Sequence, residues 1–79
     1  MRWTITEQNK RIMSAFFTDF WALVKESYEI PQEPQANALY WRTLILWCDK
    51  LMKKYNGDPV ICRLVVSYID GQSDRQKNM

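Results

Sequence analysis

Two short breakers, PQEPQ at residues 31–35 and NGDP at 56–59, cut this chain into three stretches, and each stretch repeats its apolar residues every three or four positions. Proline lacks a backbone N–H and pushes the preceding residue away from helical geometry, while Asn–Gly favours a tight turn. No regular element passes through either breaker. A three-and-four repeat is the signature of a helix with one face in a core. The chain therefore reads as all-α, a small three-helix bundle whose short turns make sequential helices antiparallel neighbours. The expected helices span about 5–29, 36–55 and 59–70 of a single domain over 1–71.

In the first segment Ile5, Ile12, Met13, Phe16, Phe17, Phe20, Leu23, Val24 and Tyr28 cover roughly half the circumference at about 100° per residue, with Trp21 at one margin. Glu7, Arg11, Ser14, Thr18, Lys25 and Glu29 occupy the other half. Thr4 and Glu7 have the spacing of a capping box. The second helix starts with Pro34 as its first residue or Asn37 as its cap, and it closes with Lys53 and Lys54 followed by Gly57. Asp58 then caps the third helix and Pro59 opens it. That helix carries Val60, Ile61, Leu64, Val65, Tyr68 and Ile69 on one broad face. Its β-branched content also permits a strand, but a lone strand has nothing to pair with. Gly71 is expected to end it, and the polar QSDRQKNM of 72–79 to form a flexible, frayed tail.

A chain of 79 residues holds one core, and a core this small typically leaves only about 3–5 kcal/mol of stability unless a disulfide, metal or partner helps. Eleven basic and nine acidic residues are interleaved to a net +2, far from the basic bias of a duplex-binding domain. The two cysteines, Cys48 and Cys62, come without any histidine, so they cannot complete a four-ligand zinc site. In an antiparallel hairpin they lie about 7 Å out of register along the axis, too far for a disulfide. The N-terminus lacks the apolar run of a signal peptide, and LILWC is far short of a membrane span. A cytoplasmic protein with reduced thiols, no cofactor, no metal and no membrane partner is the expectation.

The absence of histidine removes the commonest general base and nucleophile activator, and with only two glycines the chain has no phosphate-cradling loop. Its carboxylates sit on polar faces or at helix ends, several spaced for ordinary i, i+4 ion pairs. An enzyme is not expected, nor a small-molecule substrate.

The stretch ALYWRTLILW, residues 38–47, is apolar nearly all round. On a wheel, Trp41, Leu44, Cys48, Leu51, Met52 and Tyr55 share an arc of about 120° that must face the other helices. Leu39 and Leu46 fall opposite that arc, among Arg42, Thr43, Asp49, Lys50 and Lys53, and Trp47 lies on a flank with Tyr40. Three readings compete. Scattered exposed leucines are ordinary. The strip of Leu39, Arg42, Leu46, Trp47, Lys50 and Lys53 is a docking surface for another protein or a second copy, with Trp47 the stronger indicator because tryptophan is enriched at interface hot spots. Or Trp3 or the tail folds over it. The favoured function is a small non-enzymatic interaction module, an adaptor, inhibitor or accessory subunit of the kind phages and mobile elements often carry. The alternative is a single-stranded nucleic-acid binder that stacks bases on Tyr40 and Trp47 beside Lys50 and Lys54.

Overall fold

A computed structural model describes residues 3–79. It contains three helices: α1 (Glu7–Ser27), α2 (Pro34–Lys54) and α3 (Pro59–Lys77). The bundle is all-α, as the periodicity predicts. Tyr40 at the start of α2 bonds Ser27 at the end of α1, and Tyr55 at the far end of α2 reaches Asp19. The two helices are thus antiparallel. Trp41 and Asn37 meet Gln76 across the α2–α3 pair in the same sense. α3 consequently runs parallel to α1, with Gln72 beside Ser27, a sequence offset of 45.

Each helix contributes a narrow stripe to the core. Phe16 and Leu23 enter from α1, Leu44, Cys48 and Leu51 from α2, Ile61 and Val65 from α3. Ile30 in the first connector is also buried. Phe16 stacks on Phe20 at 5.2 Å and meets the edge of Tyr55, while Phe20 meets the edge of Tyr68. Edge and offset contacts of this kind suit aromatic quadrupoles and tie all three helices to one cluster.

Several boundaries differ from the sequence expectation, each for a local reason. α1 is capped by Thr6, whose Oγ1 accepts from the Asn9 N–H at 3.1 Å, so the Thr4–Glu7 capping box does not form and Ile5 lies outside the helix. α1 also stops at Ser27 rather than 29. Pro34 is the first residue of α2, and the cap is Glu33, whose carboxylate accepts from the N–H groups of Gln35 and Ala36. α2 ends in a Schellman closure: the Gly57 N–H bonds the Met52 carbonyl and the Asn56 N–H that of Lys53, with Asn56 and Gly57 both at positive φ. Asp58 caps α3 as expected, accepting from Val60 and Ile61.

The largest correction concerns the C-terminal segment. Gly71 does not stop α3, which runs on to Lys77, so 72–79 is no frayed tail and the ordered domain passes 71. Gly71 inside a helix costs about 1 kcal/mol relative to alanine. What offsets it is a set of hydrogen bonds to the end of α1, where the last carbonyls have no intrahelical donor. Gln72 is buried, and its Nε2 donates to the Tyr28 carbonyl at 2.9 Å and to Tyr40 Oη at 2.9 Å, with the Ser27 carbonyl at 3.1 Å. Arg75 donates to the same Tyr28 carbonyl and lies 3.9 Å over the Tyr28 ring. Gln76 Oε1 accepts from Trp41 Nε1 and Asn37 Nδ2. Ser27 Oγ donates to the Leu23 carbonyl, so Tyr68 is the donor in the 2.7 Å contact between their hydroxyls. These polar side chains form a second, hydrogen-bonded core at one end of the bundle.

Candidate functional site

α2 presents three different surroundings to the residues singled out from the sequence. Leu39 and Leu46 are exposed, at 63% and 57%, and neither Trp3 nor the C-terminal segment covers them: Trp3 is 91% exposed, and residues 72–77 belong to α3. Arg42, Lys50 and Lys53 are exposed as well. Lys53 pairs with Asp49 at 2.8 Å, one turn back, and that carboxylate raises the Lys53 pKa. Trp47 is different. It is half-buried and packs against the core cluster on the side of α2 that faces α1.

From there Trp47 forms the common wall of two adjoining recesses in the α1–α2 furrow. One, of about 310 Å³, is lined by Glu26, Pro31, Leu39, Tyr40 and Thr43 together with Trp47. The other, of about 340 Å³, has Asp19, Ala22, Lys50 and Lys54 around the same indole. Leu39 and Trp47 thus belong to one furrow, with Lys50 at its far end. Leu46, Arg42 and Lys53 lie round the helix on its outer side and do not join it. The continuous strip expected from the wheel is in fact a furrow plus a bordering face.

Of the nucleic-acid set, Tyr40 and Lys54 are already engaged. Tyr40 is half-buried with its ring edge-on to Trp41 at 5.1 Å, and its hydroxyl donates to the Ser27 carbonyl at 2.6 Å. Burial raises its pKa. Lys54 donates to Asp19 at 2.7 Å. Asp19 also accepts from the Tyr55 hydroxyl at 2.6 Å. Those two bonds, from Lys54 first and Tyr55 second, hold the Asp19 carboxyl below its ordinary 3.8, while desolvation and the bond to Asp19 push Tyr55 up to about 12. The aromatic and cationic groups needed for stacking on a backbone are therefore tied inward, except Trp47 and Lys50.

Among the described residues no group of three or more histidine, cysteine, aspartate or glutamate side chains is placed to hold a metal ion, and no helix is long and apolar enough to cross a membrane. Both cysteines are free. Burial pushes the Cys48 thiol up to about 11, out of nucleophilic range at neutral pH.

Exposed apolar side chains also appear where the sequence reading had placed core. Phe17, Trp21 and Tyr28 form an aromatic stripe along α1, and Ile5, Ile12 and Val60 are exposed at the end of the bundle nearest the N-terminus. The available signal was the width of the α1 apolar arc, which is broader than two neighbouring helices can hide. The chain matches no protein-family model, no curated protein and no solved structure.

Proposed function

We propose that this protein is a small non-enzymatic interaction module, an adaptor, inhibitor or accessory subunit working in the cytoplasm, that binds an amphipathic segment of another protein along α2. The observation that carries the reading is Trp47. A half-buried tryptophan forming the shared wall of two adjoining recesses gives an incoming apolar side chain a rigid, partly desolvated seat on either side. That is how helix-in-groove recognition takes anchors spaced one or two turns apart. Leu39 extends the apolar floor, and Leu46 borders it.

Charge selects the partner. α2 carries Arg42, Lys50, Lys53 and Lys54 against the single acid Asp49. Lys53 and Lys54 are paired with Asp49 and Asp19, whereas among the described residues Arg42 and Lys50 have no carboxylate within ion-pair distance. An apolar segment with an acidic flank complements that arrangement, and complementary rim charge acts mainly on the rate of encounter.

The test is site-specific photocrosslinking in cells, with the reactive side chain at Leu39 or Leu46 and, as control, at Ser67 on α3. A discrete adduct from positions 39 and 46 that is lost with Arg42→Glu/Lys50→Glu supports the reading. Equal labelling from all three positions removes it. Titration with single-stranded oligonucleotides at low salt tests the nucleic-acid alternative: quenching of tryptophan emission that collapses as salt rises would favour that function instead.

A further inference from the structure

α3 changes its means of attachment at Gly71. Before it, Ile61 and Val65 are fully buried, and Leu64, Tyr68 and Ile69 pack against the same cluster. After it, from Gln72 to Asn78, the chain has no apolar side chain. Hydrogen bonds from Gln72, Arg75 and Gln76 tie this end to α1 and α2, helped by the Arg75 guanidinium over the Tyr28 ring and by Gln32 Nε2 donating to Met79 Sδ. Bonds of this kind are exchanged for bonds to water when the segment leaves, at small net cost. Withdrawing the apolar face of 61–69 would open the core itself.

Gly71 stands at that boundary without a packing reason. A Cβ there would meet nothing within 4 Å, and the residue is not left-handed. Alanine would fit and strengthen the helix, so the glycine leaves a weak point between two differently held parts.

What the segment holds in place is a wall of the furrow. Tyr40 lines the recess beside Trp47. Its hydroxyl donates to the Ser27 carbonyl and accepts from Gln72 Nε2, so the phenol is fixed from both sides. Its ring meets Trp41 edge-on, and that indole donates to Gln76. Withdrawing residues 72–77 removes the Gln72 bond from Tyr40 and the Gln76 bond from Trp41 together.

We propose that residues 72–77 form a latch that opens at Gly71 while the rest of the bundle stays folded, and that its closure holds Tyr40 as a wall of the furrow. The proposal rests on the furrow being the binding site and adds its regulation. A segment seated in the furrow keeps the latch shut, and by reciprocity a contact that draws 72–77 away loosens the furrow's grip.

Native-state hydrogen exchange tests the latch, and amide chemical shifts test its reach, on the full chain and on Gly71→Ala and Gln72→Ala. The amides of Gln72–Lys77 should exchange as a group, faster than those of Cys62–Ile69. Gly71→Ala should slow that group about fivefold, the helix-propensity difference between glycine and alanine, and leave 62–69 unchanged. Gln72→Ala should speed it. Rates graded inward from Lys77 are ordinary end fraying, and rates equal to those of 62–69 mean one cooperative unit; either overturns the latch. The amide resonances of Leu39, Thr43 and Trp47, all from the recess lining, should fall on one line for the three proteins, with the wild type between the variants, as a single opening equilibrium requires. Shifts confined to 68–78 and the residues they touch overturn the link to the furrow. Photocrosslinking from position 39 separates this proposal from the preceding one. An adduct that neither variant alters keeps the furrow reading and overturns its regulation. No adduct from any of the three removes the furrow reading, and the exchange rates then decide the latch alone.

Discussion

Gly57 sits at φ +67 with open space where a Cβ would go, so its glycine answers to backbone geometry alone. Gly57→Ala should lower stability by about 1–2 kcal/mol, the usual left-handed penalty, seen as a lower urea midpoint at unchanged m-value. The Asp19–Lys54–Tyr55 cluster makes a second prediction. Asp19 has a depressed folded pKa, so its contribution is present above 3.8 and is lost as pH falls through the lower folded value. Tyr55 has a raised one, so its contribution is full below 10 and is lost as pH climbs towards about 12. Unfolding midpoints should hold level between these limits and drop on both sides, and Asp19→Asn should shrink both drops. Thiol chemistry gives a third check: a neutral alkylating reagent should modify half-buried Cys62 in the native state and reach buried Cys48 only on unfolding.

At the scale of elements, the last two turns of α3 are held by Gln72, Arg75 and Gln76 rather than by apolar packing. Gln72→Ala should cost about 1–3 kcal/mol, because it strips donors from the Ser27 and Tyr28 carbonyls in a site shielded from water. Proteolysis after Gly71 should accelerate in step. The sequence could not show this. Hydrophobic periodicity finds burial by apolar content, and QSDRQKNM has almost none; the acceptors it meets exist only once α1 has ended beside it. The Pro59 start was legible because proline at a first helical position acts through the chain's own covalent geometry, whereas at Pro34 the same argument competed with a cap at Asn37. The choice of Thr6 over Thr4 as cap was not legible. Both threonines precede the same helix, and a two-residue shift of its start decides which hydroxyl reaches the free N–H.

At the scale of the whole molecule, eight apolar residues are buried and twelve large ones stay exposed among the described residues. Substitutions should divide accordingly. Leu44→Ala in the core should cost about 2–5 kcal/mol, whereas Leu39→Gln and Leu46→Gln should change stability by less than about 0.5 kcal/mol, leaving any defect in binding to be read cleanly. That Leu39 and Leu46 point away from the core was legible because they lie opposite Leu44 on the helix; that no other segment covers them was not. The furrow was not, since a wheel knows the angle of Trp47 but not that Glu26, Pro31 and Ala22 stand across from it. The same limit hid the aromatic stripe of α1, whose Phe17 and Trp21 a third neighbour would have covered.

The hydrogen bonds from Gln72 and Arg75 to the end of α1 also order events in time. On a ribosome, α1 and α2 emerge first and can pair, yet the Tyr28 carbonyl waits for donors more than forty residues downstream. The hairpin made early in synthesis, though closed there by the bond from Tyr40 to Ser27, thus keeps an unsatisfied carbonyl and an uncovered core face, open to chaperones or to premature contacts, until the final helix packs on.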